Sequence, residues 1–119
     1  MSHAADSPLL MVGWDFHQTP VEIRERLAFS PEKVKEALSI MRKEGLLAEG
    51  VIISTCNRSE VYGVAGAALA DKDPIEGVTE FIANYHGVPR AEVNGYGYRF
   101  AGPEAARHLL RVTSGMESL

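Results

Sequence analysis

The spacing of apolar and polar residues changes repeatedly along the chain, and each spacing predicts an element. Leu9-Leu10-Met11-Val12-Gly13-Trp14-Asp15-Phe16 is a compact apolar run and predicts a first strand. His17, Gln18 and Thr19 close it. Thr19 then reads as a helix N-cap, with Pro20 at the first helical position and Glu22 three after the cap, a capping box for a short helix to about Leu27. Arg24 and Arg26 on that helix interleave with Glu22 and Glu25, the pattern of a solvated face. Ser30-Pro31 repeats the cap-plus-proline signal and opens a longer helix to about Glu44. Val34, Ala37, Leu38 and Met41 give it one apolar face, and Gly45 is a natural stop.

Gly50 to Thr55 and Glu60 to Ala65 read as two strands joined at Cys56-Asn57-Arg58-Ser59, a link short enough for an antiparallel hairpin. Gly66 to Lys72 is small and polar and reads as an exposed loop. Asp73-Pro74-Ile75-Glu76 is another capping box, for a helix with Ile75, Val78, Ile82 and Tyr85 on its apolar stripe and Gly87 at its end. After an expected loop from Val88 to Gly95, Tyr96 to Ala101 alternates as a fourth strand with Tyr96, Tyr98 and Phe100 on one face. Such aromatics stack bases on some proteins, but without a basic setting they read as core. Gly102-Pro103-Glu104 starts a last helix whose stripe runs through Ala105, Leu109, Val112 and Met116, with His108 and Arg111 off it.

The order is β-α-α-β-β-α-β-α. Without the short extra helix and the C-terminal helix it is βαββαβ, the ferredoxin-like split βαβ pattern, and predicts an α+β fold: an antiparallel sheet with helices on one face. The expected organisation is a disordered lead-in over residues 1–8 followed by one domain over residues 9–119.

Composition narrows the function classes. A chain of 119 residues buries about two-thirds of its unfolded surface. A net charge of −4 argues against a general nucleic-acid footprint such as a DNA-binding domain would carry. No apolar run reaches the roughly 18 residues of a membrane span, and the N-terminus lacks the basic-then-apolar pattern of a signal peptide. A lone cysteine closes no internal disulfide. The expected compartment is the cytoplasm, and no metal site is expected.

That cysteine marks the chemistry. Cys56 lies in Ser54-Thr55-Cys56-Asn57-Arg58-Ser59-Glu60, between apolar runs rather than inside one. A core cysteine is normally a small buried hydrophobe. Polar neighbours and a cation two residues on suit a nucleophilic thiolate instead. From the residues alone both a reactive and an inert thiol stay open. His108, taken alone, reads as a structural or exposed histidine.

Ser54-Thr55-Cys56-Asn57-Arg58-Ser59-Glu60-Val61-Tyr62 closely resembles the signature of the glutamyl-tRNA reductase family. Further stretches agree in order: Gly13 to Arg26, Leu27-Ala28-Phe29-Ser30, Glu104 to Leu109, and Ser114-Gly115-Met116-Glu117-Ser118-Leu119. The resemblance covers nearly the whole chain and implies the N-terminal catalytic domain of an NADPH-dependent enzyme of tetrapyrrole biosynthesis. It implies that Cys56 attacks the ester of glutamyl-tRNA to form a thioester, from which hydride releases glutamate-1-semialdehyde. By position, Thr55, Asn57 and Arg58 would hold the glutamyl group, Arg58 through its carboxylate. His108 would be the assisting histidine, and Ser118 would contact substrate.

Two departures stand out. The family commonly has a histidine three residues after the first-strand glycine; here that position is Phe16, and His17 follows. No Gly-x-Gly-x-x-Gly follows any strand. The resemblance therefore implies that NADPH binds outside this chain, that a homodimer forms through a further domain, and that the chain alone lacks reductase activity. The competing reading is a module that binds aminoacyl-tRNA or a protein partner with an inert thiol. The two part at Cys56, whose replacement abolishes chemistry only under the first.

Overall fold

The computed structural model describes residues 8–115. Residues 1–7 of the expected lead-in, Met116 and Ser118 lie outside the described residues. The elements are β1 (Leu9–Asp15), α1 (Val21–Leu27), α2 (Pro31–Lys43), β2 (Leu47–Ser54), β3 (Arg58–Ala65), α3 (Pro74–His86), α4 (Arg90–Tyr96), β4 (Tyr98–Ala101) and α5 (Pro103–Thr113). The strands form one sheet in the order β2-β3-β1-β4, and every neighbouring pair is antiparallel. Strand β3 thus lies between β1 and β2, which is the arrangement a split βαβ requires.

Strand alternation divides the side chains between two faces. Leu10, Val12 and Trp14 of β1, with Ile52 and Val61, point into the main core, where they meet Leu27, Ala37, Met41, Val78, Ile82 and Val93 from the four preceding helices. Met11, Tyr62 and Ala105 anchor a smaller cluster under α5 on the opposite face, joined by Leu9, Ile53, Tyr98, Phe100 and Leu109. Cover on both faces explains why β1 reads as an unbroken apolar run rather than an alternating one. The C-terminal helix, set apart from the βαββαβ core in the expected order, adds a second layer on the opposite face.

The helix starts follow their caps. Ser30 Oγ accepts from Lys33 N at 3.2 Å, and Asp73 Oδ1 accepts from Ile75 N at 3.0 Å. Gly87 ends α3 with φ of 66°, the left-handed geometry of a helix C-cap. Thr19 departs from expectation. Pro20 occupies the cap of α1 with no side-chain cap bond, while Thr19 Oγ1 donates to Tyr96 O at 3.2 Å, so the expected capping box is absent.

Three further boundaries differ. The expected loop after Val88 contains α4, whose cap residue, Pro89, has no side-chain acceptor to announce a helix. Tyr96 therefore ends α4 and packs against the main core, leaving Tyr98 and Phe100 alone on the α5 face. Residues 66–72 include a 3-10 turn over Ala67–Leu69 that buries Leu69.

Candidate active site

The hairpin turn is tighter than the sequence suggests. β2 ends at Ser54 and β3 begins at Arg58, so only Thr55, Cys56 and Asn57 lie outside the ladder. Thr55 N donates to Arg58 O at 2.8 Å, and Asn57 N donates to Thr55 Oγ1 at 3.2 Å. The side-chain bond takes the place of a backbone turn bond, a known use of threonine. Phe16 N then donates to Asn57 O at 2.9 Å, tying the segment after β1 to the same turn. Cys56 is held at the tip of this frame and is exposed. Its thiol makes only a 3.8 Å contact to Asn57 Oδ1.

Behind the turn, the α5 face of the sheet carries a buried polar cluster. Arg58, Glu60 and Tyr62 alternate along β3 onto this face, and Tyr98 of β4 and His108 of α5 reach the same place. Glu60 is its hub, with 0% exposure. Its Oε2 accepts from Arg58 Nη1 at 3.1 Å, lies 2.7 Å from His108 Nε2, and accepts from the Tyr98 hydroxyl. Its Oε1 accepts from the Tyr62 hydroxyl at 2.7 Å. A buried carboxylate without such partners would be very costly, so the cluster is a unit.

The electrostatics of the partners agree with that unit. Burial, reinforced by the hydrogen bond to Glu60, pushes both the Tyr62 and the Tyr98 hydroxyls well above their ordinary range, so both donate at neutral pH. Burial alone would lower the Arg58 guanidinium. The fields of Tyr98, Glu60 and Asp15 more than offset it and hold Arg58 above its ordinary value.

A cavity of about 220 Å³ opens beside the cluster, lined by Asp15, His17, Gln18, Tyr98, Phe100, His108 and Arg111. Asp15 ends β1 and His17 and Gln18 lie just after it; Phe16, between Asp15 and His17 in the chain, is bonded to the Cys56 turn. The thiol turn and the histidine cavity thus share one loop. Larger clefts lined by Glu44, Phe81 and Tyr85, or by Leu38, Arg42 and Glu49, contain neither Cys56 nor His108.

Site residues read from the sequence fall into distinct places. Thr55, Cys56 and Asn57 form the turn. His108 lies on the buried stripe of α5 at 5% exposure, not off it as expected. Arg58 is 3% exposed and held by Glu60, inside the protein rather than at the surface. Arg111 is exposed at the cavity rim, and Ser118 lies outside the described residues. His17 pairs with Asp15 at 3.2 Å and lines the same cavity as His108. The sequence reading gives Tyr98 a place in the core and assigns Glu60 and Tyr62 no role, whereas all three belong to this cluster. The available signal was three polar-headed residues at positions 58, 60 and 62, sharing one face of a strand whose alternate positions include Val61 and Gly63.

Among the described residues no group of three or more His, Cys, Asp or Glu side chains is placed to hold a metal ion. The turn from β1 into α1 is Phe16-His17-Gln18-Thr19-Pro20, without the glycines that let backbone approach a pyrophosphate. Among the described residues no helix is long and apolar enough to cross a membrane.

Comparison with known proteins places this arrangement. Residues 12–119 match the family described as "Glutamyl-tRNAGlu reductase, N-terminal domain". The chain is 41% identical over 112 residues to the glutamyl-tRNA reductase of Marinomonas sp., covering 94% of this chain and 26% of that protein. It is 38% identical over 112 residues to that of Carboxydothermus hydrogenoformans, covering 93% of this chain and 24% of the relative. Among solved structures it resembles the glutamyl-tRNA reductase from Methanopyrus kandleri, with a TM-score of 0.67 and 28% identity, covering 94% of this chain and 23% of that one. The chain thus spans about a quarter of the length of these curated relatives. On sequence and fold together, it belongs to the glutamyl-tRNA reductase family as an N-terminal domain.

Proposed function

We propose that this chain is the acyl-transfer domain of a cytoplasmic glutamyl-tRNA reductase in tetrapyrrole biosynthesis, and that Cys56 takes the glutamyl group from glutamyl-tRNA. The observation that carries this reading is the placement of Cys56: an exposed thiol at the tip of a turn fixed by two backbone hydrogen bonds and one to the Thr55 hydroxyl, and tied through Phe16 to the segment that lines the cavity holding His108. Acyl transfer needs an accessible nucleophile held in a fixed geometry, and the Cys56 turn supplies one.

The step balances without redox chemistry. The Cys56 sulfur forms a bond to the ester carbonyl carbon, the bond from that carbon to the ribose oxygen breaks, and the oxygen leaves with one proton. His108 accepts the thiol proton and returns it to the leaving oxygen. Thr55 and Asn57 flank the glutamyl group, Arg58 supplies positive potential behind it for its carboxylate, and Ser118 contacts it. NADPH and the surface that makes a homodimer belong to parts of the protein beyond this chain, so the chain by itself acylates and slowly hydrolyses glutamyl-tRNA but reduces nothing.

Incubation with tRNA carrying radiolabelled glutamate tests this. The expected result is hydroxylamine-labile label on the chain, lost in Cys56→Ala, with faster deacylation than in buffer. No label and no accelerated deacylation, with tRNA binding retained, would overturn it in favour of a binding module with an inert thiol.

A further inference from the structure

We infer that Glu60 is a positioning residue that fixes which nitrogen of His108 does chemistry, by holding the proton on Nε2 and leaving Nδ1 as the basic atom. The inference deepens the proposed function and rests on it only for its kinetic consequence.

The argument is one of donors and acceptors. Both oxygens of Glu60 already face donors: the Arg58 guanidinium and the Tyr98 hydroxyl at Oε2, the Tyr62 hydroxyl at Oε1. Arginine has no acceptor to offer, and the phenols, Tyr62 buried and Tyr98 half-buried, keep their protons. A carboxylate in that company accepts only. His108 Nε2, 2.7 Å from Oε2 and buried, must therefore present N–H; a lone pair there would face another at contact distance. A neutral imidazole has one N–H, so Nδ1 carries the lone pair. Among the described residues the hydrogen bond of this ring runs through Nε2.

Packing then locks the ring. Its centroid lies 5.3 Å from that of Tyr98 and 5.0 Å from that of Phe100, so the imidazole cannot turn over without displacing two aromatic side chains. Tyr98 serves twice, as a wall for His108 and as a donor to the same carboxylate. On the proposed function, Glu60 orients, His108 is the base and Cys56 the nucleophile, with Glu60 acting through His108 rather than on substrate.

The test uses the full chain with 15N-labelled histidine and long-range proton–nitrogen correlation, His108 being assigned by its loss in His108→Gln. Above neutral pH the expected pattern is N–H at Nε2 and a lone pair at Nδ1. Glu60→Gln, nearly isosteric, should mix or reverse that pattern, because an amide can also donate to Nε2. Tyr98→Phe removes a donor but keeps the carboxylate and should preserve it. Cys56 acylation should fall about 10²-fold in Glu60→Gln and recover in part in Glu60→Asp. A wild-type lone pair at Nε2, or a Glu60→Gln pattern unchanged from wild type, would overturn the inference. If Glu60→Gln fails to fold, the wild-type pattern alone decides. If the wild-type chain shows the expected tautomer but never acylates, the proposed function falls and the assignment of His108 stands.

Discussion

Gly13 and Tyr98 sit opposite each other across β1 and β4, and the tyrosine ring occupies the space a side chain at Gly13 would need. A Cβ there would lie 3.0 Å from ring atoms Cε2 and Cζ and 2.8 Å from Glu60 Cγ. Glu60 is the partner of Gly13 on β3, so the glycine is the gap through which the Tyr98 hydroxyl reaches the carboxylate. Gly13→Ala should therefore cost about 1–3 kcal/mol through overpacking. Urea unfolding followed by the fluorescence of Trp14 reads that loss. A stability within about 0.5 kcal/mol of wild type would show that the cluster relaxes freely around a methyl group.

Arg58 has two possible duties, and stability separates them. Its Nη1 is bonded to a carboxylate with 0% exposure, so its removal strands a buried charge. Arg58→Ala should destabilise by about 3–5 kcal/mol. Asn57→Ala, at a half-buried turn position, should cost less than about 1 kcal/mol. Any loss of acylation in Arg58→Ala has to be read against the folded fraction, whereas a loss in Asn57→Ala can be assigned to the glutamyl group directly. Equal stability of the two variants would mean that Arg58 is not structural and is free to serve substrate alone.

How much of this was legible in the residues depends on the range of the signal. Ser30, Asp73 and Gly87 announce helix ends because each acts on backbone within a few positions, and α2 and α3 run from and to those residues. α4 was missed because Pro89 caps without an acceptor and the helix is held by distant groups, among them the Trp14 indole donating to Val93 O at 2.8 Å. The nucleophile was legible from local polarity and its motif. The Glu60 cluster was not, since it is assembled from β3, β4 and α5, and spacing along one strand cannot say what covers a face. His108 shows the same limit: its place on α5 was visible, but that it is buried against Glu60 depends on a residue 48 positions away.

Asp73 offers a local check on that logic. It accepts from Ile75 N at 3.0 Å and Glu76 N at 3.4 Å, while Glu76 itself turns outward to Arg90 and Arg99. The carboxylate of Asp73 alone therefore holds the start of α3. Asp73→Ala should cost about 1 kcal/mol, near 4 °C in melting temperature. Glu76→Ala should cost less, because its ion pairs are exposed. The reverse order in a thermal melt would move the weight from the cap to the surface network.

His86 sets an acid limit that is separate from the thiol site. Burial, with a smaller push from Lys33, lowers it from about 6.5 to about 4, and its ring packs edge-on against Phe29 and Tyr85 at 4.4 and 5.1 Å between centroids. The unfolded chain binds a proton at this residue near pH 6.5, and the folded chain does so only near pH 4. Above pH 6.5 both forms are neutral and the histidine contributes no pH dependence. As pH falls from 6.5 to 4, only the unfolded chain gains the proton, so stability declines, by on the order of 1–2 kcal/mol after allowance for partial solvent screening. Carboxylates titrate in the lower part of that window too, so the readout is the difference between wild type and His86→Gln in urea melts at pH 7.5 and 4.5. The wild-type chain should lose more stability between the two than the variant. Parallel losses would place the His86 ring in contact with water in the folded protein.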